Sequence, residues 1–450
     1  MRREAKTWSL FSLTWPIFIE TMLYMVMGNA DTLMLSQYSD HAVAAVGVAN
    51  QIIALTIVLF NFVALATAVL VAQYLGARRE QAAIEVSLVS IAANLLFGLL
   101  LSIVLAVFSR SILRMMDLPA ELLDEGNRYL AIVGGFLFIQ ALMMTIGAIL
   151  KSYGFTRDTM YVTMGMNILN IIGNYFLIFG VLGLPPLGAE GAAISTAVSR
   201  LIGFAVLVAL LYRRTGISLA PWAFRALPFH HLRSLLKIGV PAAGEHLSYN
   251  TAQMAITYFI TWLGAEALTV RVYTQNIMMF VFLFGIAVSQ GTQILVGHFV
   301  GAGRYKEAYD RCLKSLYSAI TISVLLAAAT YWFAEPLLSL FTNDQSMIEL
   351  GRKLLLLTII LEPGRSFNLV IISSLRASGD VQFPVYIGIL SMWGVGVTVA
   401  YVLGIALGFG LVGIWLSFIA DEWLRGLLML WRWRSRIWMK KVAAPEAKMA

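Results

Sequence analysis

Twelve apolar stretches, each long enough to cross a bilayer, follow one another along the chain with mostly short polar turns between them. A spanning helix needs about 20 mostly apolar residues. The stretches fall near 10–36, 46–75, 84–109, 128–150, 159–182 and 190–212, then near 235–262, 268–299, 312–334, 350–374, 382–406 and 411–433. In hydrocarbon every backbone N–H and C=O needs a partner within the protein, so segments of this length must be helical. The expected fold class is an all-α integral membrane protein with twelve transmembrane helices. Composition agrees: 60% of the 450 residues are hydrophobic and 12% are charged, where soluble domains carry about 25% charged residues. Arg2, Arg3 and Lys6 precede the first stretch and no small-residue cleavage site follows it, so it is expected to remain as a span.

The net charge of +8 would suit a nucleic-acid binder if it were spread over a soluble surface. Its placement argues for a different cause. With the N-terminus in the cytoplasm, the inside segments hold 24 of the 32 Lys and Arg residues, the outside segments hold 6, and Arg200 and Arg365 lie within spans. That asymmetry is the signature of membrane orientation. It predicts both termini inside and no nucleic-acid partner. Cys312 is the only cysteine, which excludes intrachain disulfides and cysteine-cluster metal sites.

The halves repeat at an offset of 225 residues. Pro16 matches Pro241, AVAAVGVANQI at 42–52 matches ALTVRVYTQNI at 267–277, LVAQYLGARR at 70–79 matches LVGHFVGAGR at 295–304, and LKSYG at 150–154 matches LRASG at 375–379. Six spans with both ends inside make the second half a parallel repeat of the first, with an axis along the membrane normal. The expected organisation is an N-terminal six-helix lobe over 1–212, a cytoplasmic linker over 213–234, a C-terminal six-helix lobe over 235–434 and a cytoplasmic tail over 435–450.

Ionisable residues inside a bilayer are costly and need a reason. Glu20, Tyr24, Met27, Asp31 and Met34 recur at steps of 4, 3, 4 and 3, which is one helical face suited to a cavity. Pro16 supplies no N–H and can act as a hinge in this helix. Asn167, Asn170 and Asn174 share a face of the fifth span, and Thr196 lies in the sixth. Together with Asp31 they form a candidate site for a proton or cation. Glu20, Tyr24, Met27, Met34, Asn167, Glu245 and Asn250 are candidate substrate-binding residues. Glu362 and Arg365, three apart, read as a structural ion pair. The chain has no Walker-type glycine loop, no HExxH, no GxSxG and no Cys/His cluster, so no enzyme, no metal site and no cofactor beyond a coupling ion is expected.

WP followed by DTLMLSQ, with Asp31 fifteen residues after Pro16, resembles the opening of the multidrug and toxic compound extrusion (MATE) transporters. So do AAVGVANQI, the LVAQYLGARR and LVGHFVGAGR pair, NILNIIGNYFLIFG, and EPGRSFNLVIISSLRASGD, so the resemblance covers nearly the whole chain. It implies a two-lobe exporter of amphipathic or cationic drugs, exchanging them for H⁺ or Na⁺ by alternating access. NorM-like members place acidic residues in spans seven and ten, where this chain has Asn250 and Arg365. The chain is more similar to the DinF-like branch, whose span-one aspartate, here Asp31, carries the coupling proton. Some relatives have a second aspartate where this chain has Asn174. A Na⁺ ion on Asp31, Asn170, Asn174 and Thr196 stays open, as does a lipid-linked oligosaccharide flippase of the same superfamily. The expected setting is a bacterial inner membrane, with lipids as neighbours and a monomeric chain.

Overall fold

The computed structural model describes residues 8–183, 185–224 and 227–442. Arg2, Arg3, Lys6, Arg225 and Lys448 of the orientation count, and the end of the expected tail, lie outside the described residues.

The described residues are helical throughout, with no strand among them. In the first half the helices are α1 (Leu10–Ser36), α2 (Asp40–Gly76), α3 (Glu80–Met115), α4 (Ala120–Gly135), α5 (Leu137–Ser152), α6 (Thr156–Phe179) and α7 (Gly188–Thr215). The second half has α8 (Phe229–Thr261), α9 (Ala265–Gly301), α10 (Tyr305–Trp332), the short α11 (Ala334–Ser339), α12 (Gln345–Ala377), α13 (Gln382–Ser391), α14 (Gly410–Arg434) and the short α15 (Met439–Val442). α13 continues through wide π turns at Met392–Val397 and Ala400–Ala406 to complete one spanning length.

Among the described residues nine helices are long and apolar enough to cross a membrane, and α4 with α5 makes a tenth as one bent span. The other two of spanning length are α8, which is rich in polar side chains, and α14, which carries Asp421, Glu422 and Arg425 near its middle. The chain thus has the twelve-helix membrane fold. Several helices run past their apolar cores: α2 starts at Asp40 rather than 46, and α3 covers Glu80–Met115 rather than 84–109. Polar ends extend a helix wherever its backbone bonds can continue, and hydrophobicity does not register them.

The fourth span is the main departure. A single helix is expected over 128–150, but the chain bends by 40° between Gly135 and Leu137. No proline causes it. Gly134 lets α4 press onto α3, since a Cβ there would lie 2.8 Å from Leu105 Cβ. Past the bend the Phe138 N–H donates to Ser102 Oγ of α3 at 2.9 Å. A neighbouring hydroxyl thus takes over a backbone group freed by the break, as membrane helices require.

The chain divides into two compact units. One comprises Ile19–Leu75 and Arg79–Gly239; the other comprises Met1–Phe18, Gly76–Arg78 and Val240–Ala450, so far as these are described. The core of the first is built by Leu35 with residues of α2 to α7, including Phe60, Leu105, Leu130 and Ile178. The second has two cores. Leu13 and Ile17 pack with α9, α10, α12 and the stacked Trp433 and Trp438 in one. Ile256 and Ile260 pack with Leu354, Leu361 and Trp415 in the other. Leu96, Leu100, Ile103 and Val107, one stripe of α3, are among the many exposed apolar side chains that suit lipid contact.

Candidate functional site

Three helices of the first unit bring polar side chains into one ladder. Asp31 of α1 and Asn174 of α6 each lie five residues before the end of their helix, at Ser36 and Phe179. Asn174 Nδ2 donates to Asp31 Oδ1 at 2.5 Å and stands 3.4 Å from Asn170 Oδ1. One turn earlier in α6, Asn170 Nδ2 donates to Thr196 Oγ1 of α7 at 3.2 Å. Ser195 Oγ donates to the Asn170 carbonyl at 2.9 Å. The α6–α7 approach depends on Gly173, where a Cβ would sit 2.5 Å from Ser195 Oγ. One turn further, Asn167 Nδ2 donates to the Leu23 carbonyl at 2.7 Å and ties α6 to α1. Asp31 is 7% exposed, and Asn170 and Asn174 are fully buried. No cation pairs with Asp31 among the described residues, and Asn174 Oδ1 is buried without a hydrogen-bond partner.

This arrangement has a chemical consequence. Ionised Asp31 accepts from the amide NH₂ of Asn174. When protonated, it can donate its O–H to an amide oxygen, and the unpartnered Oδ1 of Asn174 is adjacent on the same group. A neutral amide can therefore serve both charge states with little rearrangement.

Glu20 and Glu245 are both paired. Lys151 Nζ of α5 lies 3.0 Å from Glu20 Oε1, and Thr159 of α6 donates to Glu20 Oε2 at 2.9 Å. In the other unit Arg376 Nη2 of α12 lies 2.5 Å from Glu245 Oε2. Glu20 and Glu245 are repeat mates at 225, and so are Lys151 and Arg376. Sequence reading counts Lys151 and Arg376 as cytoplasmic charges; matching the repeat at acidic and basic positions together would have exposed the pairs.

The remaining predicted residues have ordinary surroundings. Tyr24 is half-buried, within electrostatic range of Glu20 and Arg200, and Met27 is buried. Met34 packs against the core of the first unit. In the other unit Pro16 lies in α1 between the core residues Leu13 and Ile17, and Asn250 contacts His246 Nδ1 at 2.9 Å. Glu362 accepts from Arg365 at 2.8 Å. That pair belongs to a larger cluster: Arg425 contacts Asp421 at 2.8 Å and Glu422 at 3.1 Å, Asn368 donates to Glu422 at 2.9 Å, and Ser391 donates to Asp421 at 2.6 Å. Arg271, counted in the sequence as an outside charge, is buried and donates to Thr257 at 2.6 Å and Gln253 at 3.2 Å. Two residues near Asp31 escape sequence reading: Tyr129, within electrostatic range of it, and Asn50, whose Oδ1 accepts from the Tyr129 hydroxyl at 3.2 Å.

Comparison with known proteins accounts for this architecture. The MatE family model matches residues 16–176 and 241–402, once in each half. The chain belongs to the MatE family. As a MatE protein it is a multi-pass membrane transporter of the multidrug-extrusion type and not an enzyme. It is 55% identical over 436 residues to the uncharacterized transporter YisQ of Bacillus subtilis, covering 97% of this chain and 96% of that one. It is 26% identical over 446 residues to a probable multidrug resistance protein NorM of Thermotoga maritima, covering 98% and 95%. Its fold matches the outward-facing structure of a multidrug resistance MATE transporter of the MOP superfamily, with a TM-score of 0.87 at 20% identity, over 97% of this chain and 96% of that one.

Proposed function

We propose that this MatE protein is a secondary active antiporter of the DinF-like type. It exports amphipathic and cationic organic compounds in exchange for protons by alternating access, with Asp31 as the proton carrier. It would work as a monomer in a bacterial cell membrane with both termini in the cytoplasm. The observation that carries the reading is the setting of Asp31: a buried carboxylate with no ion pair among the described residues, which Arg200 reaches only at longer range, held by an amide that can answer either protonation state.

The cycle follows from charge. Ionised Asp31 attracts a cationic substrate toward the α1 face that includes Tyr24 and Met27. Protonation from the outside removes that attraction and favours release outward. Deprotonation toward the cytoplasm restores it. Pro16, which offers no N–H, gives α1 a place to bend as the charge on Asp31 changes.

Proton coupling is favoured over sodium coupling by the donor set. The Asn174 NH₂ lies between the Asp31 and Asn170 oxygens, whereas a bound Na⁺ would need oxygens there. Purified protein in liposomes, given a pH gradient and a Na⁺ gradient separately, tests the reading. Drug flux driven by the pH gradient alone is expected. Flux driven only by Na⁺ would move the coupling to sodium, and flux of a lipid-linked oligosaccharide without either gradient would favour a flippase.

A further inference from the structure

Arg200 is a cation without a partner. It makes no ion pair or hydrogen bond among the described residues, and its Nε is buried with no acceptor. It sits near the middle of α7, beside the buried positions Thr196, Ser199 and Gly203, while Val198, Leu201, Ile202 and Val206 are exposed. The groups that reach it electrostatically are Tyr129, Tyr24 and Asp31. A guanidinium at such depth is costly unless it is compensated.

The other unit shows what compensation looks like. After the Pro185-Pro186 turn the offset between the halves falls to 222, with EGAAIS at 190–195 against LVGIWLS at 411–417; on that register the position matching Arg200 is Glu422, which has Arg425 at 3.1 Å, Arg365 at 3.9 Å and the Asn368 amide at 2.9 Å. In the first unit Glu20 is already taken by Lys151. That leaves Asp31 and Arg200 as opposite charges with no ion-pair partner. Arg200 lies twelve residues from the Gly188 end of α7, level with Tyr24, which lies twelve from the Ser36 end of α1, whereas Asp31 lies five from that end. The step of seven residues corresponds to about 10 Å along the helices at 1.5 Å per residue.

We propose that Arg200 is the anion-binding pole of a substrate site whose cation-binding pole is Asp31, so that the transporter takes zwitterionic amphipaths bearing both an ammonium group and a carboxylate. Tyr24 lies at the level of the anionic pole. The proposal rests on the antiporter reading and sharpens it: protonation of Asp31 releases one end of the substrate and leaves the other held only at Arg200, a weaker hold that favours exit.

The test measures binding to the purified full-length protein of a rhodamine with a free carboxylate and of the methyl ester of the same dye. The dyes differ only at the group meant for Arg200. Arg200→Gln is expected to lower the ratio of acid to ester affinity by about tenfold, the effect of losing one charge-assisted hydrogen bond. Arg200→Lys keeps the charge and should keep most of the ratio, and ester binding reports that each variant is folded. An unchanged ratio in Arg200→Gln overturns the assignment, as does a wild-type protein that binds the ester but not the acid. The antiporter reading fails separately, if Asp31→Asn leaves ester transport driven by a pH gradient intact.

Discussion

Lys151 holds Glu20 by an ion pair of 3.0 Å, and the repeat-related Arg376 holds Glu245 in the same way. Each pair ties the first helix of its half to the basic end of the fourth span. Their recurrence across the duplication makes both carboxylates fixed points of the fold before any substrate is considered. Breaking a buried pair leaves an uncompensated charge and costs ~3–5 kcal/mol. Lys151→Met and Arg376→Met should each lower the thermal unfolding temperature in detergent. The double variant Glu20→Gln/Lys151→Met should recover most of that loss. A double variant no more stable than Lys151→Met would mean that the pair contributes little.

Asn174 is expected to matter through its hydrogen bond to Asp31. A hydrogen bond to a charged group is worth ~1.5–3 kcal/mol, so Asn174→Leu should reduce transport driven by a pH gradient by roughly tenfold or more while leaving expression unchanged. Rates of uptake in liposomes at matched protein content check it, and a wild-type rate in Asn174→Leu would remove the amide from the site.

The break in the fourth span depends on Ser102 and Gly134. Ser102→Ala strips the acceptor from the Phe138 N–H and should destabilise the fold by ~1–3 kcal/mol, the cost of an unsatisfied buried donor. Gly134→Val forces a side chain against Leu105 and should destabilise it further by overpacking. Denaturant unfolding in mixed micelles reads both.

A pH effect is expected away from the membrane. Asp344 caps α12: its Oδ1 accepts from the Ser346 and Met347 N–H groups at 2.8 and 3.4 Å. The Ser346 hydroxyl, which donates to the same Oδ1 at 2.7 Å, and then these two N–H groups hold its carboxyl below the usual carboxylate range. A carboxylate depressed in the folded state stabilises it above the unfolded value, near 3.9, and that contribution is lost as pH falls through the folded value. Hydrogen exchange at Ser346 and Met347 should therefore be faster in Asp344→Ala than in wild type at neutral pH. The difference should shrink once the wild-type carboxyl is protonated. A difference independent of pH would show that the charge is not what caps the helix.

Much of the architecture is legible in the residues, because hydrocarbon allows so few solutions. Apolar length locates ten of the twelve spans, α8 and α14 being long enough but more polar, and the register of LKSYG with LRASG exposes the duplication. The face from Glu20 to Met34 can be read because a helix repeats every three to four residues. The partners of that face are less legible. Lys151 is 131 positions from Glu20 and looks like a loop charge until the fold turns it inward. Arg271 lies in the second turn of α9, where counting charges cannot tell a buried guanidinium from a surface one. The bend at Phe136 has no proline to announce it; it comes from a glycine contact and a serine on another helix, which are tertiary facts.

The central claim is that Asp31 carries the proton that drives export. Everted membrane vesicles with an imposed pH gradient test it most directly, with wild type and Asp31→Asn at equal expression. The account predicts that adding a transported cationic dye collapses the gradient in wild-type vesicles and leaves it standing in Asp31→Asn vesicles. A full dye-triggered collapse in the variant would contradict it.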